Sequence, residues 1–207
     1  MRKSREEAAE TRKRIVRAAA CKFREKGIGA TGLADLMKAA GLTHGGFYKH
    51  FASKDELVAE ATAEAVDAAI DEWLTGSPTI AATVGAYLST GHRDDRASGC
   101  PLAAVGSELS RSSKKVREAA AEGFVRLVEF LARKADTVDA RRRAVAAAAT
   151  MIGALTMSRV VTDQGLSAEI LREAQRSLIR GWPRRSVTRT RSFRGRPRRN
   201  VRRQSET

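Results

Sequence analysis

Residues 33–52, LADLMKAAGLTHGGFYKHFA, decide the fold of this 207-residue chain. Leu33, Leu36, Met37 and Ala40 follow the i, i+3, i+4, i+7 spacing of one helix face, and Gly41 stops that helix. Thr43 stands where a side-chain oxygen caps a following helix, His44 to about His50, with Phe47 and Phe51 turned inward. Two short helices joined by a glycine turn are helix-turn-helix grammar. A helix of that length is about 10 Å long, a size that sits across a major groove about 12 Å wide. With Leu33, Leu36, Met37, Leu42, Phe47 and Phe51 packing the unit, Thr43, His44, Gly45, Gly46, Tyr48 and Lys49 are left outward.

The flanking segments are helical too. Ile15, Ala19 and Phe23 recur at helical spacing before Gly27, predicting a first helix over residues 7–26. Ser53 and Glu56 form a capping box that opens a long fourth helix through Trp73. Start signals at Ser77, Cys100, Ser112 or Ser113, Thr137 and Ser167 predict five more helices, and Gly181, Trp182 and Pro183 end the last. The expectation is an all-α protein of about nine helices with no strand, consistent with 36 alanines and four prolines. Three parts are predicted: a DNA-binding head over 1–52, a helical body over 53–182, and a basic tail over 183–207. Residues 144–161 are apolar nearly all round but too short and too alanine-rich to span a bilayer, which needs roughly 20 residues. They belong in the middle of the body or in a subunit interface.

Charge divides unevenly along the chain. Of 39 basic and 24 acidic side chains, residues 1–60 hold 13 and 8, residues 61–182 hold 16 and 15, and residues 183–207 hold ten and one. A basic head on a neutral body points to a polyanionic partner at the head. The tail is poor in apolar groups and reads as disordered; it either adds salt-sensitive affinity for nucleic acid or is a solvated extension. Two cysteines and three histidines without C-x-x-C or H-E-x-x-H spacing suggest no metal, disulfide or cofactor chemistry. The first residues carry charge with no apolar run behind them, so a secretory signal is not expected and the default compartment is the cytoplasm, at the nucleoid.

Residues 30–58 resemble the TetR-type bacterial transcriptional regulators, whose pattern is met by Thr31, Asp35, Ala39, Ala40, Gly41, Gly45, Tyr48, His50, Phe51, Ser53, Lys54 and Leu57. Gly46 and Met37 depart from it. The resemblance implies a dimer placing two recognition helices in successive major grooves of a palindromic double-stranded operator. By position, Thr31, Tyr48, His50 and Lys54 would contact phosphates, Thr43, His44, Gly46 and Lys49 would lie nearest the bases or their flanking backbone, and Gly45 is a further DNA-binding position. Capping alone also explains Thr31 and Thr43, and packing against the first helix also explains Tyr48 and His50. Two glycines leave few side chains to read bases, so His44, Lys49 and DNA shape should carry much of the specificity.

Residues 27–32 satisfy G-x-G-x-x-G, the dinucleotide-binding fingerprint, but no strand precedes them and no βαβ unit follows, so an enzyme is not expected. Ser112-x-x-Lys115 is likewise a chance match. The family resemblance implies a pocket for a small-molecule effector of unknown identity within the body. Trp73, Tyr87, Phe124, Met151 and Met157 are either its lining or ordinary core. Cys100, in Gly99-Cys100-Pro101 at a helix start, is either a small cap residue or a thiol sensor, because exposed helix N–H groups favour thiolate. The expected function is a ligand-responsive regulator, a repressor that leaves its operator when a small molecule binds or Cys100 is modified. The alternative is an architectural nucleic-acid binder driven by the arginine tail.

Overall fold

A computed structural model describes residues 5–71, 76–135 and 137–182; the predicted tail over 183–207 and Trp73 lie outside the described residues. Among these residues there are nine α-helices, one 3-10 helix and no strand. Helix α1 (Arg5–Lys26) buries Ile15, Ala19 and Phe23 as their spacing predicts, and ends where Gly27 adopts a φ of 91°. Helix α2 (Leu33–Ala39) stops at Gly41, whose φ of 69° turns the chain at no steric cost to a residue lacking Cβ.

The expected third α-helix is instead a 3-10 helix, His44–Lys49. Its two adjacent glycines give weak helical preference, and a segment this short gains more from seating Phe47 and Phe51 than from regular α geometry. Thr43 has cap-like extended dihedrals, but its side chain makes no cap hydrogen bond.

Helix α3 (Lys54–Ala69) begins with the predicted box: Ser53 Oγ accepts from the Glu56 N–H at 3.1 Å, while the Glu56 carboxylate reaches back to the Ala52 N–H at 2.8 Å. The body continues with α4 (Ile80–Tyr87), α5 (Thr90–Asp94), α6 (Pro101–Leu109), α7 (Lys114–Ala132), α8 (Ala140–Val160) and α9 (Gln164–Gly181). Three predicted starts move. Thr79 rather than Ser77 caps α4; Asp139 rather than Thr137 precedes α8; Asp163 caps α9 by accepting from the Leu166 N–H at 2.6 Å. Ser167 sits inside α9, buried, donating to the Ser158 carbonyl at 2.6 Å. The one-turn α5 was not foreseen, because five residues are too few for a periodic signal.

Two cores meet along α6 and α7. The first gathers Ile15, Phe23, Leu36, Met37, Phe47, Phe51 and Leu57 with Val105, Leu109 and Val116 of the body. The second joins Val84, Tyr87, Leu88, Leu127, Leu131, Ala148, Met151, Leu155, Leu171 and Trp182. Helices α3 and α7 approach closely at Gly123, where an added Cβ would lie 2.8 Å from Val66 Cγ2. Helix α8 buries one face (Ala144, Ala147, Ala148, Met151, Leu155) and exposes another that is also apolar or small: Val145, Ala146, Ala149, Gly153, Met157 and Val160.

Candidate functional site

The head presents a rigid tip. Phe47 and Phe51 are buried and stacked with ring centroids 5.6 Å apart, fixing the 3-10 turn from beneath. Tyr48, next in sequence, stands edge-on to Phe47 and is 70% exposed, unusual for a large aromatic ring. Thr43, His44, Gly45 and Lys49 are exposed beside it, and Gly46 and His50 are half-buried. A Cβ at Gly46 would touch the Met37 methyl at 3.4 Å, so the two residues that depart from the resemblance face each other.

Several head cations are committed inside the protein. Arg12 bridges α1 to Glu56 and Glu60 on α3 while lying 4.1 Å above the Phe51 ring; hydrogen bonding to Glu60 raises its pKa above the ordinary arginine value. Lys54 donates to the carbonyls of Ile28 and Thr31 at 2.7 and 2.8 Å, tying the α1–α2 loop to the start of α3. Thr31 is 1% exposed, and its hydroxyl donates to the Gly27 carbonyl at 2.6 Å. Among the proposed phosphate contacts, Tyr48 is thus open to a ligand, His50 is half-open, and Thr31 and Lys54 are engaged in shaping the loop. The G-x-G-x-x-G stretch is part of this helix-to-helix loop, and its Gly29 N–H donates to Glu108 Oε2 at 2.7 Å.

The body holds a small apolar cavity of about 20 Å³, whose walls include Val66, Ile70, Tyr87, Cys100, Leu102 and Leu127. Of the candidate sensor residues, the fold brings Tyr87 and Cys100 together there. Met151 lies elsewhere in the second core, Phe124 is half-buried against that core, and Met157 is 48% exposed on the open face of α8. Burial pushes the Tyr87 phenol well above its ordinary value, with Cys100 adding to the shift, and its hydroxyl has no oxygen or nitrogen partner. Cys100 is 4% exposed.

His92, which no sequence motif singles out, joins two of the residues that line the cavity, Tyr87 and Cys100. Its Nδ1 donates to the Tyr87 carbonyl at 2.7 Å and its Nε2 accepts the Cys100 N–H at 3.0 Å, which sets the tautomer. Burial, with Arg159 adding repulsion, lowers its pKa to about 3, so the ring is neutral. Arg159 clamps the same loop from α8, donating to the carbonyls of Arg93 and His92 at 3.0 and 2.7 Å. Arg24 at the end of α1 donates to the Gly99 carbonyl at 3.3 Å. The segment from Gly99 to Glu108, which includes the lining residues Cys100, Pro101 and Leu102, touches the head at two places, Arg24 with Gly99 and Glu108 with Gly29. Arg93 is paired with Asp94 at 2.7 Å and donates to the Ser167 hydroxyl at 3.0 Å.

Comparison with known proteins accounts for both halves. Residues 15–61 match the bacterial regulatory proteins of the tetR family, and residues 62–177 match the C-terminal domain of LmrA/YxaF-like transcriptional regulators. The chain belongs to the TetR family. It is a transcriptional regulator with a helix-turn-helix DNA-binding domain. An uncharacterised HTH-type regulator of Mycobacterium tuberculosis is 31% identical to this TetR-family chain over 189 residues, 84% of this chain and 97% of the relative. TtgR of Pseudomonas putida is 47% identical, but over 58 residues, 28% of each chain. Among solved structures, a TetR regulator from Chloroflexus aurantiacus superposes with a TM-score of 0.68 at 27% identity, covering 84% of this chain and 94% of its own. Reduced Escherichia coli NemR superposes with a TM-score of 0.69 over 86% of this chain and 100% of its own; at 19% identity it speaks to the fold alone. No helix among the described residues is long and apolar enough to cross a membrane, and none of their His, Cys, Asp and Glu side chains cluster as a metal site.

Proposed function

We propose that this TetR-family chain is a homodimeric repressor that holds a palindromic operator and releases it when a small molecule occupies the Tyr87–Cys100 cavity. The observation that carries the DNA-reading half is the exposed Tyr48, with His44 and Lys49, on a turn locked by buried Phe47 and Phe51. In this reading residues 1–52 form the head, Tyr48 and His50 meet phosphates, and Thr43, His44, Gly45, Gly46 and Lys49 line the groove. Thr31 and Lys54 serve by shaping the loop that presents α2, and Lys54 also offers charge toward a nearby phosphate at the start of α3. The protein acts in the cytoplasm, where the operator is.

Dimerisation is supported by the open small-residue face of α8, to which a second copy would present the same face. The ligand response is supported by the coupling of cavity to head: a ligand that wedges Cys100, Pro101 and Leu102 apart strains the Arg24 and Glu108 links and α3 together. A ligand that fits a head geometry unable to bind DNA shifts the population toward it by its difference in affinity. At about 20 Å³ the cavity has room for roughly one water, so effector binding requires it to widen.

Selection from a pool of random duplexes at about 150 mM salt, where non-specific phosphate contacts are weak, tests the reading. Recovery of one palindrome with half-sites a helical turn apart supports it; recovery of no sequence refutes it. A Gly153→Asp variant that stays dimeric in sedimentation refutes the α8 interface. If thiol modification of Cys100 is an alternative trigger, Cys100→Ser must abolish operator release by a thiol reagent.

A further inference from the structure

Tyr87 carries a buried polar group that the fold leaves unused. The side chain is 2% exposed and stands edge-on to the His92 ring with centroids 4.8 Å apart, yet its hydroxyl has no hydrogen-bond partner. A buried hydroxyl left unpaired is costly, and most such groups in folded proteins are satisfied. Burial holds the phenol well above its ordinary pKa, so it stays protonated and able to donate. Tyr87 belongs to the wall of the apolar cavity, and so does the Cys100 thiol beside it.

The other wall residues are Val66, Ala69, Ile70, Pro101, Leu102 and Leu127. No side chain among them is charged or a strong acceptor, and the two polar ones of the wall, phenol and thiol, are both donors. His92 behind Tyr87 is a neutral ring with both nitrogens engaged. Arg159 is not a wall residue and donates to the carbonyls of Arg93 and His92. An ion entering this space would give up its hydration without meeting a countercharge. A single water would fit, but a buried water needs roughly two to four polar partners, and the side chains here offer a phenol and a thiol. Displacing so poorly held a water with an apolar group is favourable. Ile70 also borders an open pocket of about 270 Å³ with Asp67, Asp71, Arg126 and Glu129 on its walls, so movement of this side chain offers a path inward. Ile70 and Asp71 are wound as π-helix, a departure from the α-helical repeat just after α3.

We propose that the ligand of this cavity is a neutral, largely apolar molecule bearing a carbonyl-type oxygen that accepts from the Tyr87 hydroxyl. This rests on the reading of the cavity as the effector site and adds the chemical class of the effector. The apolar part of the ligand fills the widened space between Ile70, Leu102 and Leu127, and its oxygen supplies the partner that Tyr87 lacks. Tyr87 is therefore the residue that selects among apolar molecules of similar size.

The test measures binding to the full-length protein by calorimetry, without DNA. The probes share one shape: acetophenone, α-methylstyrene, in which a methylene replaces the ketone oxygen, and benzoate. Tyr87→Phe should weaken acetophenone on the order of tenfold, because its oxygen is then buried unpaired, and change α-methylstyrene by less than about twofold. Benzoate should bind neither protein. Without ligand the variant should melt no lower than wild type, since it loses a hydroxyl that has no partner. A clear drop in melting would show that the hydroxyl is satisfied inside the protein and overturns the proposal. Equal changes for the ketone and the hydrocarbon, or no change for either, overturn it, as does the absence of acetophenone binding up to about 10 mM. Benzoate binding as tightly as the ketone would mean that Arg159, whose Nη1 has no partner, reaches the ligand, and overturns the neutral class. Acetophenone that binds through Tyr87 but leaves the selected operator occupied in a gel shift upholds the chemical class and refutes the effector reading.

Discussion

Acid should weaken this protein through His92 in a way that one substitution removes. In the folded chain the ring is neutral, with a pKa lowered to about 3, because protonation would put a charge in a buried site beside Arg159 and destroy the acceptor of the Cys100 N–H. In the unfolded chain the same imidazole titrates near 6.5. Below that value the unfolded state binds a proton that the folded state refuses, so stability falls as pH drops and is fully present only above about pH 6.5. At pH 4.5 the unfolded ring is two units below its pKa while the folded ring is still neutral, a loss of about 2.7 kcal/mol at 1.36 kcal/mol per unit. The loss continues toward pH 3 and levels off below it. His92→Gln keeps a side-chain acceptor near the Cys100 N–H but carries no titrating group. Urea denaturation of both proteins at one protomer concentration, at pH 7.0 and 4.5, isolates the effect, since every carboxylate common to both cancels in the difference. Wild type should lose about 2 to 3 kcal/mol more than the variant, whatever their difference at neutral pH. Equal losses, or an NMR titration of His92 in the native state near 6.5, would show that the buried neutral ring is wrong.

Other expectations follow from single contacts. Gly123→Ala gains up to about 1 kcal/mol of helix preference but drives a methyl into Val66, so it should destabilise by about 1 to 2 kcal/mol in thermal unfolding and alter operator affinity through the α3–α7 joint. Glu108→Ala removes the acceptor of the Gly29 N–H at an exposed site; melting should change by less than about 1 kcal/mol while the operator affinity becomes less responsive to effector, and an unchanged response refutes the link. Ser53→Ala should cost about 1 kcal/mol by chemical denaturation through loss of the Glu56 N–H cap. Tyr48→Phe, which keeps the ring and removes the hydroxyl, should weaken operator binding about tenfold with no change in melting temperature; equal binding by gel shift removes the hydroxyl from the interface.

Most of the head was legible before any coordinates, because its determinants are local. Helix periodicity, two glycines with positive φ and a Ser–Glu capping box each act within about four residues, so the order of residues along the chain specifies them to within a turn. The 3-10 geometry of residues 44–49 escaped because the same inward placement of Phe47 and Phe51 suits either helix type. In the body, residues with equal cap chemistry stand close together, Ser77 with Thr79 and Asp163 with Ser167, and packing chose between them.

The amino-acid order by itself determined an all-helical chain, a DNA-reading head and a gradient of charge toward the last residues, since these depend on neighbours along the chain and on composition. Tertiary structure alone decided which side chains share a space. It put Tyr87 and Cys100 in one cavity, left Met151 in the core and Met157 on the open face of α8, and took Arg12, Lys54 and Thr31 into internal bonds. It also joined His92, Arg159 and Arg24 around one loop from three distant parts of the chain. The physical reason is that burial and pairing across 60 or more residues depend on how helices pack, and a helical repeat specifies which face is apolar without naming the partner it meets.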